Sequence, residues 1–403
     1  RCRGGPALSV RPGSCRSRRL SREAGLFHDL TRAEPLHMTS IQPITGEPRD
    51  AARLQDFAAE LTAAPAIGLD TEFLRESTYR PLLCLLQVST PARCECIDPL
   101  GAADLSALRP AFGPGGPLKI MHAARQDLEA LWPVFGAPGS LFDTQVAAGL
   151  VGMPAQIGYA ELVRRQFGVE LDKSHTRTDW SRRPLSEAQL SYAIEDVRHL
   201  GPLRDVLQEQ LDKLGRLEWL HEEMQPLVAG EGLFVDPERA HERLKGLQDL
   251  DADRQRLGQR LAAWRERRAA ERNRPRTWIL DEAGLRALIT VAPRDLNGLR
   301  DLPELAPGFI EHSGADILRE IETALLPVRL PPLPGRQRPD PKISEDVKRL
   351  GDIARRVAAE LGLAPELIAT RRDLEVIARG REDALPLKGW RRAVVGEELL
   401  AAR

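Results

Sequence analysis

The sequence predicts an α/β unit, a mixed sheet flanked by helices, followed by all-α helical units. Three observations predict it. Short apolar runs of strand character cluster between residues 66 and 122. Helical 3.6-residue patterns then take over and run to residue 214. Beyond residue 238 only helical patterns remain, punctuated by prolines.

Taken in order, residues 1–37 hold seven arginines in the first 22 positions and no acid before Glu23. They read as a disordered leader. The first methionine is Met38, and a chain that begins in earnest there is expected, with 1–37 not necessarily translated. Pro48 to Ala64 reads as a helix through Leu54, Phe57 and Leu61. Ala66–Phe73 is the central strand. Leu83–Ser89 and Arg93–Asp98 are two more strands about a Thr90-Pro91-Ala92 turn, and Leu118–His122 is another. Helices are predicted over Arg125–Trp132, Asp143–Val151, Tyr159–Phe167 and Ser186–Leu214, with a linker near Pro226–Pro237. Glu238–Asn273 reads as one long helical stretch, with nine Arg against three acids between 253 and 276. Six prolines between 327 and 341 mark a second linker. The expected units are 1–37, 38–225, a linker 226–245, 246–326, a linker 327–341, and 342–403.

Composition is that of a globular protein, 42% hydrophobic and 29% charged, with net charge −1. The molecule is not a polycation, so nucleic-acid binding must come from local patches. Arg outnumbers Lys 51 to 7, and Arg suits bidentate phosphate contacts. The five cysteines form no C-x-x-C pair, neither a zinc site nor a disulfide framework is apparent, and a reducing cytoplasm is expected. No apolar run approaches membrane-spanning length.

Asp70 and Glu72 lie at i and i+2 of the central strand and project side by side. Anions held that close repel unless a cation sits between them, and carboxylate oxygens favour Mg²⁺ or Mn²⁺. His122-Ala-Ala-Arg-Gln-Asp127 places Asp127 in a helix's first turn, where the helix dipole favours an acid. Tyr192 and Asp196, at i and i+4, share one face of a helix opened by Ser186, with Glu195 turned toward solvent. Leu171 to Trp180 is a polar loop with two cations, Lys173 and Arg177, suited to gripping phosphate. Each piece has a bland reading by itself. Together, four carboxylates can hold two divalent ions about 3.5–4 Å apart, the arrangement used for in-line phosphoryl displacement. Tyr192 is placed to orient the attacking water.

The motifs D-T-E-F, H-x4-D-L and Y-x3-D, in this order, resemble the tyrosine-containing branch of the DEDD superfamily of 3′–5′ exonucleases. Leu69 to Tyr79, Leu141 to Gln145, Leu171 to Ser174 and Arg177 to Trp180 resemble the ribonuclease D family. The Arg-rich stretch and the unit ending Leu387-Lys-Gly-Trp-Arg-Arg are similar to that family's two HRDC modules. The resemblance implies a ribonuclease H-like fold and release of 5′-mononucleotides from the 3′ end of RNA, tRNA precursors included. It implies Asp70, Glu72, Asp127 and Asp196 as metal ligands and Tyr192 as the catalytic tyrosine. His122, Lys173, Arg177, Arg265 and Arg268 are the candidate RNA contacts. The alternatives are the same chemistry on DNA and a non-catalytic RNA-binding protein. Proline-bounded modularity further predicts that cutting within 327–341, or before 238, leaves an active nuclease. Oligomeric state is not legible.

Overall fold

The computed structural model describes residues 42–101, 104–172, 178–326 and 341–403. The leader 1–37, the proline-rich stretch up to residue 340, and Lys173 and Arg177 lie outside them. Five strands form one mixed sheet: β1 (Ala66–Leu74), β2 (Leu82–Ser89), β3 (Cys94–Ile97), β4 (Leu118–Met121) and β5 (Leu141–Asp143). Their spatial order is β3-β2-β1-β4-β5. The first three make an antiparallel meander, and β4 and β5 add in parallel. The first four residues of β1 are all buried. Helices cover both faces there, so the strand reads as a nearly continuous apolar run. Asp70 pairs with Gln87 and Glu72 with Leu85, and the register shifts just after Glu72. A bulge there twists the strand locally beside the two carboxylates.

Several element boundaries differ from those predicted. Leu141–Asp143 is a strand, and the helix behind it starts at Thr144 with Asp143 as its N-cap. A three-residue strand is too short to show a period. The stretch Ser186–Leu214 is two helices, Glu187–Arg198 and Leu200–Leu214, broken at His199. The predicted Ser186 start is a capping box with Gln189. Pro226 lies inside the helix Leu217–Val228. The Arg-rich helix begins at Ala252, because residues 237–249 form 3₁₀ turns.

The cores are unequal. The sheet and its helices share one core with the C-terminal helices of 341–403, including Leu350, Ala358, Leu374, Trp390 and Leu399. Trp219 and Trp390 stack at 4.4 Å with an 8° tilt. Glu222 accepts from the Trp390 backbone N–H and Glu223 from its indole N–H, each at 2.7 Å. Gly389 sits at φ 50°, and a Cβ there would lie 2.0 Å from a Glu222 oxygen. The proline-bounded tail is thus not a free module but a docked one. Residues 240–324 have a core of their own, against which Tyr79 of the sheet unit packs. A third, small core of Cys84, Leu85, Cys96, Trp180, Leu190, Ala193 and Ile194 fastens the Tyr192 helix to the sheet. Trp180, expected on a polar loop, is buried there.

Candidate active site

Strand β1 and two helix segments bring the predicted carboxylates together. Asp70, Glu72 and Asp196 each offer an oxygen within 4.8 Å of the others. Asp127, in the first turn of the helix Arg125–Phe135, stands beside this triad and is 8% exposed. The Thr71 hydroxyl donates to Asp127 Oδ1 at 2.5 Å. Thr71 lies between the two strand carboxylates in sequence, so one stretch of β1 fixes three of the four acids.

The electrostatics are those of anions gathered without a counter-charge. Burial, then Asp127, Asp196 and Glu72, holds Asp70 well above the usual carboxylate range. Burial, then Asp196 and Asp127, pushes Glu72 up to about 8. Burial lifts Asp127 and Asp196 to about 7, opposed by hydrogen bonds from Thr71 and from Tyr192 respectively. Among the described residues no Lys or Arg ion-pairs with any of the four. An oxygen-only cluster short of positive charge fits a hard divalent cation.

Tyr192 hydrogen-bonds Asp196 and lies 6.1 Å, ring to ring, from Trp180. The predicted i, i+4 pair therefore meets. Glu195 is not turned to open solvent: its side chain is 34% exposed and ion-pairs with Arg198 at 2.7 Å and His199 at 3.6 Å.

The expected RNA contacts fare differently. His122 engages both ring nitrogens internally, Nδ1 with Thr144 Oγ1 at 2.9 Å and Nε2 with the Ile157 carbonyl at 3.0 Å. Burial lowers its pKa, which favours the neutral ring. Arg265 is 4% exposed and reaches the Leu280 carbonyl and Glu282. Arg268 pairs with Glu271 at 3.3 Å and Asp316 at 3.8 Å. All three are engaged within the fold; for Arg265 and Arg268 it supplies Glu282 and Asp316, acids that a charge count over 253–276 does not include.

Two positioning residues escaped sequence reasoning. Asp143 accepts from the backbone N–H groups of Ala123 and Ala124 at 3.1 and 2.8 Å. Ala123 sits at φ 57°, a left-handed backbone that costs a non-glycine residue about 1 kcal/mol or more. Asp143 thereby sets the launch angle of the Asp127 helix. Tyr159 donates to the Glu195 carbonyl at 3.0 Å and accepts from the His199 N–H at 3.2 Å. Those two groups would otherwise be i, i+4 partners in one helix. The phenol is inserted in their place, breaks the helix at His199, and flanks Asp196. Only the D-T-Q run at the end of β5 hinted at the first; nothing local marked the second.

A family model described as 3′–5′ exonuclease matches residues 47–212, and an HRDC domain model matches residues 254–321. The ribonuclease D of Gluconacetobacter diazotrophicus is 36% identical over 378 residues, covering 92% of this chain and 93% of that relative. That of Nitrobacter hamburgensis is 38% identical, covering 87% and 93%. The solved structure of Escherichia coli RNase D, described as an exoribonuclease involved in structured RNA processing, is similar with a TM-score of 0.78 at 31% identity. It covers 90% of this chain and 98% of its own. The carboxylate cluster on a mixed sheet, the helical module behind it and relatives spanning nearly the full chain agree: the chain belongs to the ribonuclease D family of 3′–5′ exoribonucleases.

Proposed function

We propose that this chain removes 5′-mononucleotides from the 3′ end of RNA, tRNA precursors in particular, using two divalent ions, Mg²⁺ or Mn²⁺. Asp70, Glu72, Asp127 and Asp196 would hold them. The observation that carries this is the set of three carboxylate oxygens within 4.8 Å, with no cation among the described residues to neutralise them. When bound, such ions stabilise charge building on the phosphate and lower the pKa of water. The chain's own part is positional. Strand β1 holds Asp70 and Glu72 rigidly, Thr71 fixes Asp127, and the Asp196 hydrogen bond orients the Tyr192 hydroxyl toward the attacking water.

Residues 38–225 carry the chemistry in this reading, and the helical units 246–326 and 342–403 extend the hold on substrate. Lys173 and Arg177 belong to it as RNA contacts. The likeness to an enzyme of structured RNA processing supports a folded substrate. A cytoplasmic site of action accords with it. Among the described residues no helix is long and apolar enough to cross a membrane.

The test is incubation of 3′-labelled RNA and matched DNA with Mg²⁺ or EDTA. RNA should lose its label stepwise in Mg²⁺ and keep it in EDTA, and Asp70→Asn should release none while remaining folded. Release by Asp70→Asn at the wild-type rate would remove the ligand assignment, and faster loss from DNA would favour the DNA reading.

A further inference from the structure

The sequence counts nine arginines against three acids over residues 253–276 and suggests a basic helix. Folding removes most of that charge. Arg254, Arg256, Arg260, Arg265, Arg267 and Arg268 each pair with a carboxylate, half of these from other segments. Arg272, Arg274 and Arg276 have no carboxylate partner among the described residues, and Arg274 lies over the Trp278 ring. The uncompensated charge is thus concentrated at the helix's C-terminal end, not spread along a face.

That end borders a cavity of about 380 Å³ between the sheet unit and the helical unit. Arg75, Arg80, Arg243 and Arg276 line it, with Tyr79 and Glu266. Two acids also border it, and both are engaged. Glu129 pairs with Arg75, and Glu266 accepts from the Tyr79 hydroxyl at 2.7 Å. Arg80, Arg243 and Arg276 have no carboxylate partner among the described residues. The walls are tied together: the Arg80 backbone N–H donates to Asn273 Oδ1 at 3.0 Å, and Arg125 donates to the Gly232 carbonyl at 2.7 Å. Four guanidiniums against two carboxylates leave this braced cleft net positive, and guanidinium forks suit phosphate.

The cleft also lies close to the active site along the chain. Arg75 follows Glu72 by three residues, at most about 10 Å of extended chain. Glu129 follows Asp127 by two on the same helix. That reach is short enough for a strand whose 3′ end sits on the carboxylates to enter the cleft a few nucleotides upstream.

We propose that this cleft binds phosphates of the substrate's own backbone a few nucleotides upstream of the 3′ end, through Arg80, Arg243 and Arg276. The inference rests on the exoribonuclease reading and adds a binding site to it. A free mononucleotide offers similar phosphate chemistry, so the experiment separates the two. Wild type, Arg243→Glu/Arg276→Glu and an exposed control, Arg294→Glu, are compared. Binding to a tRNA-like RNA is followed by anisotropy in EDTA over a range of salt. Turnover of a dinucleotide in Mg²⁺ is measured in parallel, and AMP is tested as competitor. The double variant should bind the structured RNA at least ~10-fold more weakly at low salt, with the log–log salt slope reduced by roughly 1.5–2. Dinucleotide kcat, on a substrate too short to reach the cleft, should be unchanged, and the control should bind as wild type. Equal affinity and slope for the double variant and wild type would overturn the site. So would an equal loss in the control, which indicates diffuse charge. AMP binding that the double variant abolishes while RNA binding is unaffected would assign the cleft to free nucleotide instead. Failure of wild type to hydrolyse any RNA would sink the underlying function, a distinct result.

Discussion

Without metal, the acid cluster should make the fold less stable as pH rises, and Glu72→Gln should remove much of that dependence. Glu72 titrates near 8 in the folded protein against an ordinary 4.5. Its folded pKa is raised, so the unfolded chain gives up the proton first. The stabilisation from the retained proton is complete below about 4.5 and is lost as pH rises through about 8. Three and a half units correspond to ~5 kcal/mol at most. Partial exposure and sharing of charge with Asp196 reduce this to roughly 2–3 kcal/mol. A Coulomb estimate agrees: two unit charges at the observed limit of 4.8 Å repel by about 3.5 kcal/mol at an effective dielectric near 20. At roughly 2–4 °C per kcal/mol for a unit of this size, the melting temperature in EDTA should fall by about 5–10 °C more for wild type than for Glu72→Gln between pH 5.5 and 8.5. Subtracting the two curves removes the other titrating groups. Mg²⁺ should raise the wild-type melting temperature more at pH 8.5 than at 5.5, since a protonated carboxyl is a poor ligand. A flat difference curve, or an equal Mg²⁺ shift at both pH values, would refute the reasoning.

Three further outcomes are expected. Tyr192→Phe should lower kcat by roughly 10²–10⁴-fold with metal affinity retained, less damage than any carboxylate change; identical pH–rate profiles for variant and wild type would exclude the hydroxyl. Tyr159→Phe deletes the hydrogen bonds to Glu195 and His199 and costs about 1–3 kcal/mol of stability. It should also weaken the metal dependence of turnover several-fold at unchanged KM, and calorimetric metal titration matching wild type would show that the helix break does not position Asp196. A chain ended at Leu326 strips Trp390 from the face of Trp219 and from Glu222 and Glu223. Burying one large aromatic is worth ~3–5 kcal/mol, so the truncated protein should melt well below the full chain and bind a hydrophobic dye. A monodisperse product with the full chain's melting curve would mean the tail is only loosely attached.

The sequence by itself determined how the acids and the tyrosine are grouped. Asp70 and Glu72 are bound to share a face because strands have period two, and Tyr192 and Asp196 because helices bring i and i+4 together. These are local rules, and the structure places all four as they require. The central strand, the meander and the Ser186 cap were legible for the same reason. What only the tertiary structure decided is everything set by contacts distant in sequence. The three-residue β5 exists because β4 pairs with it, not because of its own pattern. Tyr159 breaks a helix about forty residues away by inserting its hydroxyl. The proline-rich stretch marked a linker between units, yet Trp390 docks on Trp219 across some 170 residues, an apolar pairing that no linker composition can report. The arginine count suggested a basic helix, but charge is neutralised by whichever acids the fold brings near. Only three-dimensional packing could leave the uncompensated arginines gathered beside one cleft.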